Sequence, residues 1–346
     1  MSSFKNAALS LAAAASLAAP ALAAGDSDWA SSLQPLTAPG ASAPATPPAA
    51  AAPDGRPAAA ASFDRRLMLR KGLTRRANPD LSPFGADGLP QLNYYGGPLL
   101  GSVKIQLVFW NRKVAYRNRL PGFYSTITDS PYFDWLSEYN SPNVAIGRGS
   151  YLGAYMDSAA APAKIEDADI QTELTKLISS GAVPAPGANT LYMVYFPPGM
   201  SIDMSGSGSC QVFCAYHSSF VNGSTEINYG VIPDQGGACA GGCGGDPSQF
   251  NNETSVSSHE MIEAVTNPAV GLATGNTPAA PLGWYDAANG EIGDICNAEQ
   301  AQVSGYTVQR LWSNSRGLCV ATASDPGAPF TPQAPQTGSS PIAKRP

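Results

Sequence analysis

The stretch Ser258-His259-Glu260-Met261-Ile262-Glu263-Ala264-Val265-Thr266-Asn267-Pro268 joins two potential metal ligands four residues apart to a hard stop. On a helix, His259 and Glu263 project from one face and can reach the same ion. Glu260 stands where the H-E-x-x-H pattern places the general base that takes a proton from metal-activated water. Glutamate replaces the second histidine here. Its oxygen is an acceptable zinc ligand, although its charge leaves the water less acidic than a neutral imidazole would. Proline disfavours helix in the residue before it, so the spacing predicts a helix over 251–266 that ends at Asn267-Pro268.

A catalytic zinc takes a third protein ligand and keeps an open position, and a loop returning after the helix commonly supplies that ligand. The segment from Gly283 to Cys296 offers Asp286, Glu291 and Asp294. Asp294 is the first candidate and Glu291 the second. The competing reading makes Asp294 a turn cap and leaves Glu291 in solvent. His217 is the other histidine of the chain. It could polarise a substrate carbonyl or stabilise an oxyanion, or simply be hydrogen-bonded in a cysteine-rich loop. The sequence has no G-x-S-x-G elbow, no G-x-G-x-x-G after a strand and no G-x-x-x-x-G-K-[ST], so serine hydrolysis is unsupported and nucleotide cofactors lack a cradle.

Around this helix, Val103–Trp110, Leu191–Phe196 and Glu226–Ile232 read as strands from their β-branched and aromatic runs. Pro131–Tyr139 and Glu166–Ser179 read as helices, the second with Ile170, Leu174, Leu177 and Ile178 on one face and Gly181 as its stop. Of the 346 residues only 13% are charged, while Gly (35) and Pro (31) abound, which disfavours a helical bundle. A net charge of −6 gives no basic footprint for nucleic acid. After the N-terminal apolar run, nothing is long enough to span a membrane.

Residues 1–23 have the order of a secretory signal peptide: Lys5, an Ala/Leu run, Pro20 and small residues before the cleavage point. Residues 24–88 are rich in Pro and Ala, then basic from Arg65 to Arg76, and read as a disordered linker or a pro-segment cut at a basic pair. Residues 89–324 form the body and 325–346 a Pro-rich disordered tail. Six cysteines in an exported chain imply disulfides rather than a four-thiolate zinc. Shortest loops suggest Cys210–Cys214, Cys239–Cys243 and Cys296–Cys319.

Tyr95-Gly96-Gly97-Pro98-Leu99-Leu100, the following VKIQLVFWN run, Cys214-Ala215-Tyr216-His217, Cys239-Ala240-Gly241-Gly242-Cys243, Val265-Thr266-Asn267-Pro268 and Glu291–Cys296 occur in an order that resembles the EXORDIUM / phosphate-induced protein family. The likeness spans roughly residues 93–320, and is to the bacterial or fungal type of branch that carries a zincin-like H-E-x-x-E. Plant members are extracellular cell-wall proteins without an established catalytic activity.

Together these readings give an α/β fold: one zincin-like body with a twisted mixed sheet, an active-site helix and disulfide-stabilised loops. The expected activity is that of a secreted Zn2+-dependent hydrolase acting on peptides or proteins. His259, Glu263 and Asp294 or Glu291 would hold the ion, Glu260 would be the base, and His217 would assist. The alternative is a non-enzymatic protein that binds cell-wall polysaccharide, with Trp284, Tyr285 and Trp312 exposed to stack on sugars.

Overall fold

The computed structural model describes residues 65–73, 88–273 and 278–331. Residues 1–23, read above as a signal peptide, and most of the Pro/Ala-rich arm lie outside these residues. A mixed sheet is built from β1 (Leu67–Leu69), β2 (Lys104–Phe109), β3 (Ser150–Met156), β4 (Thr190–Tyr195), β5 (Phe213–Asn222) and β6 (Thr225–Ile232). Its order is β1-β5-β6-β4-β2-β3. The pairs β6/β4, β4/β2 and β2/β3 are parallel, whereas β5 runs antiparallel to β1 and β6. A parallel strand is covered on both faces and therefore reads as an unbroken apolar run. That is the pattern of β4, buried along its whole length, and of β2, exposed only at Lys104.

The hairpin between β5 and β6 closes through Gly223-Ser224, with Gly223 at φ +65°. A two-residue hairpin turn needs positive φ at its first central position, which glycine adopts without a Cβ penalty. Parallel neighbours need crossovers, and helices lie in those from β2 to β3 and from β2 to β4, whereas β4 reaches β6 through extended chain and β5. α1 (Leu120–Ile127) lies between β2 and β3, and α2 (Asp167–Ser179) between β3 and β4. α2 begins with a capping box of Glu166 and Asp169, buries Ile170, Leu174 and Leu177, and is followed by Gly181 at φ +72°. The expected helix at 131–139 divides into Pro131–Asp134 and a tighter 3-10 segment, Trp135–Tyr139.

α3 (Gln249–Thr266) starts two residues earlier than the sequence suggests, at an N-cap where Ser248 accepts from the Asn251 amide. It packs against β5 and β6 on one side and against β8 (Tyr306–Gln309), which pairs with β7 (Gln300–Val303), on the other. A helix covered from both sides is buried all round. Every residue from Asn252 to Thr266 is buried, although many are polar. Their hydroxyls are bonded across the packing: Ser257 to the Tyr195 hydroxyl at 2.6 Å, Thr254 to the Thr307 carbonyl at 2.7 Å, and Ser258 from the Gln309 amide at 2.9 Å.

Three expectations are corrected. The cysteines pair as Cys210–Cys239, Cys214–Cys243 and Cys296–Cys319. Cys214 lies in extended β5 and Cys210 in the turn leading into it, so the 239–243 loop folds over both instead of either pair closing on itself. Next, Leu67–Leu69 is no part of a disordered arm, because it pairs with Phe213–Tyr216 and is buried. Finally, order continues past residue 324. Ala328-Pro329 pairs with Leu318-Cys319, and Asp325 accepts from Arg310 and from the Ala321 amide.

Glu253, on the first half of α3, accepts from the Gln235 amide at 3.1 Å. Burial pushes its carboxyl well above the usual range, against that hydrogen bond and with help from Asp234. The folded state therefore holds this proton more tightly than the unfolded chain. Stability falls as pH rises from the unfolded pKa of about 4.3 towards the folded one. Glu253→Gln keeps an acceptor for Gln235 and removes that penalty. Thermal melts should show the variant more stable than wild type at neutral and higher pH, with the gap closing towards pH 4.

Candidate metal centre

The second half of α3 carries two of the candidate ligands on one face. His259 Nε2 lies 3.0 Å from Glu263 Oε1, one helical turn on. The pair is not aligned for a hydrogen bond, and His259 Nδ1 also has no hydrogen-bond partner among the described residues, although the ring is fully buried. Burial opposes protonation of His259, but the Glu263 carboxylate, with Asp294 and Gln309 nearby, more than offsets this and holds the imidazole above its ordinary pKa.

The loop from Gly290 to Cys296 completes the cluster. Glu263 Oε1 accepts from the Gly293 amide at 3.2 Å and the Asp294 amide at 3.0 Å. A Cβ on Gly293 would stand 2.6 Å from His259 Nδ1 and 3.0 Å from Glu263 Oε1, so only glycine allows the loop this close. His259, Glu263 and Asp294 bring one ligand atom each within 4.8 Å of one another. Asp294 also closes its own turn by accepting from the Glu291 amide at 3.0 Å. Asp286 serves the loop, accepting from the amides of Gln91, Ala288 and Asn289.

Glu260 lies beside Glu263 on the sheet side of the cluster. Its Oε2 is 3.3 Å from Nδ1 of His217, which stands on β5 opposite Gly230 of β6. Gly230 keeps the floor open, since its Cβ position is 3.9 Å from the Cβ of Glu260 and a side chain there would meet Met193. His217 Nε2 faces the Asn267 carbonyl at 3.2 Å and Glu291 Oε1 at 3.5 Å. Glu291 is buried rather than solvated, and its Oε1 accepts from the Asn267 side-chain amide at 2.7 Å. His217, Glu260 and Glu263 form a second group with ligand atoms within 4.8 Å. A buried His/Glu/Glu group of this kind could hold a metal ion.

Sequence reasoning missed two supporting residues. Asn267 links the end of α3 to Glu291 and, through Oδ1, to the Gly283 amide at 2.7 Å. Its only signal was its place before Pro268. Gln309 on β8 donates to the Gly293 carbonyl at 2.8 Å while its amide donates to Ser258, tying loop to helix. Nothing in its strand context marks it.

The aromatics expected to bind sugars are packed inside. Tyr285 and Trp312 are buried. Trp284, half-buried, stacks near Tyr94 and Tyr139 and donates to the Tyr139 carbonyl at 2.7 Å. Among the described residues no helix is long and apolar enough to cross a membrane. In comparisons with protein families, curated proteins and solved structures, no family model, curated protein or solved structure matches this chain.

Proposed function

We propose that this chain is a secreted zinc-dependent hydrolase of the zincin-like type, acting on peptide bonds. The observation that carries the reading is the meeting of His259, Glu263 and Asp294 beside the Glu260–His217 pair. The donor set suits a divalent ion. Imidazole and carboxylate are both zinc ligands, and a buried imidazole without an aligned hydrogen bond is a group in need of one. The Glu263 carboxylate is already oriented by two loop amides, as the ligands of metal sites commonly are.

Zinc held there would supply Lewis-acid polarisation of a carbonyl and of the attacking water. The chain's own residues do the rest. Glu260 receives the proton of the water and passes it to the leaving amine. His217, held by Glu291 and the Asn267 carbonyl, fixes the Glu260 carboxylate at Oε2. The surrounding burial excludes bulk water and strengthens each of these interactions. Three disulfides among the described residues accord with an oxidising, extracellular destination.

The test is hydrolysis of unfolded proteins and a broad peptide set across acid and neutral pH. Chelation should abolish cleavage and added zinc should restore it, while His259→Ala should be inactive with or without zinc. Wild type that cleaves nothing in a chelator-sensitive way, yet binds wall polysaccharide, would overturn the reading.

A further inference from the structure

Glu263 turns its two oxygens to two different imidazoles. Oε1 meets His259 Nε2 at 3.0 Å, and Oε2 meets His217 Nδ1 at 3.7 Å. The two groups of potential ligands, His259/Glu263/Asp294 and His217/Glu260/Glu263, therefore share this one carboxylate. The His217 ring is placed so that it could coordinate. Its Nε2 faces the Asn267 carbonyl and Glu291, both hydrogen-bond acceptors, and with the proton there Nδ1 is the ligating atom. Nδ1 meets Glu260 Oε2 at 3.3 Å and Glu263 Oε2 at 3.7 Å. Two carboxylates converging on one buried ring nitrogen call for positive charge there, either a proton on Nδ1 or a cation among the three groups. A carboxylate or carbonyl on the far nitrogen is also the usual way a metal-ligating imidazole is oriented.

We infer that the centre is dinuclear, with a second divalent cation held by His217 Nδ1, Glu260 Oε2 and Glu263 Oε2, and with Glu263 bridging the two ions. Bridging carboxylates of this kind bring a pair of ions close together and allow them to act on both sides of one reacting group. The inference rests on the metal-centre reading above, which needs only the ion at His259, Glu263 and Asp294. The rival occupant of the second position is a proton, which would make His217 an imidazolium.

Metal content after loading the purified chain with zinc alone, followed by removal of excess, separates these readings. Wild type should bind about two ions. His217→Ala and His259→Ala should each retain about one, and Glu263→Ala should lose both. Circular dichroism reports whether each variant has folded. Should a variant fail to fold, wild type loaded with manganese alone still decides, because carboxylate-bridged ions give an exchange-coupled paramagnetic resonance spectrum. Saturation at one ion, or two ions without coupling, overturns the inference and leaves the single-ion reading standing. No bound ion at all overturns both.

Discussion

Glu260→Gln should lower hydrolysis by about 10²- to 10⁴-fold, the range expected when a positioned general base is lost. The fall should appear in kcat rather than KM. Glutamine has the size of glutamate and can still meet His217 through its amide, so the fold should persist. The ligands His259, Glu263 and Asp294 are untouched, and an ion at that group should be retained. Single-turnover assays beside metal analysis of the same samples provide the check. A metal that only braced the fold would give a different result, with no activity to lose in wild type. A fully active Glu260→Gln chain with its metal in place would remove Glu260 from the mechanism.

The double substitution Cys214→Ser/Cys243→Ser should lower stability by about 2–3 kcal/mol, because Cys210–Cys239 still closes the long loop and only the short loop between the two bridges is released. The bridge joins residues 29 apart in sequence and ties the strand carrying His217 to the 239–243 loop. Urea midpoints in non-reducing buffer measure the effect. Peptide mapping without reduction should recover Cys210 with Cys239 and Cys214 with Cys243. Fragments linking Cys210 to Cys214 would refute that connectivity, and an unchanged midpoint would show that the loop holds without its bridge.

The contrast between these two sites shows what local sequence carries. The i,i+4 placement of His259 and Glu263 follows from helical periodicity alone, and the stop at Asn267-Pro268 from proline sterics. The parallel strands β2 and β4 were legible for a similar reason, since two-sided burial leaves a continuous apolar signature. β5 was not, because Cys214, His217, Ser218 and Ser219 interrupt its pattern and made it look like a loop with chemistry in it. Its polar residues are tolerated by tertiary partners that lie far off in sequence, such as Glu260 and Asn267 for His217. Disulfide partners, the place of Glu291 beside His217, and the clasp made by Gln309 depend on the same long-range packing. None has a local period to betray it.

β1 has a meaning beyond its three residues. By pairing with Phe213–Tyr216 it covers the outer margin of β5, the strand that also carries His217. An uncovered margin is a row of unpaired amides and carbonyls that invites another chain to add itself. A chain begun at residue 89, where the composition changes, would expose that margin together with the apolar surface that Leu67, Met68 and Leu69 now seal. Self-association would then compete with folding, and the short apolar strand in the otherwise Pro/Ala-rich and basic arm is what covers that margin.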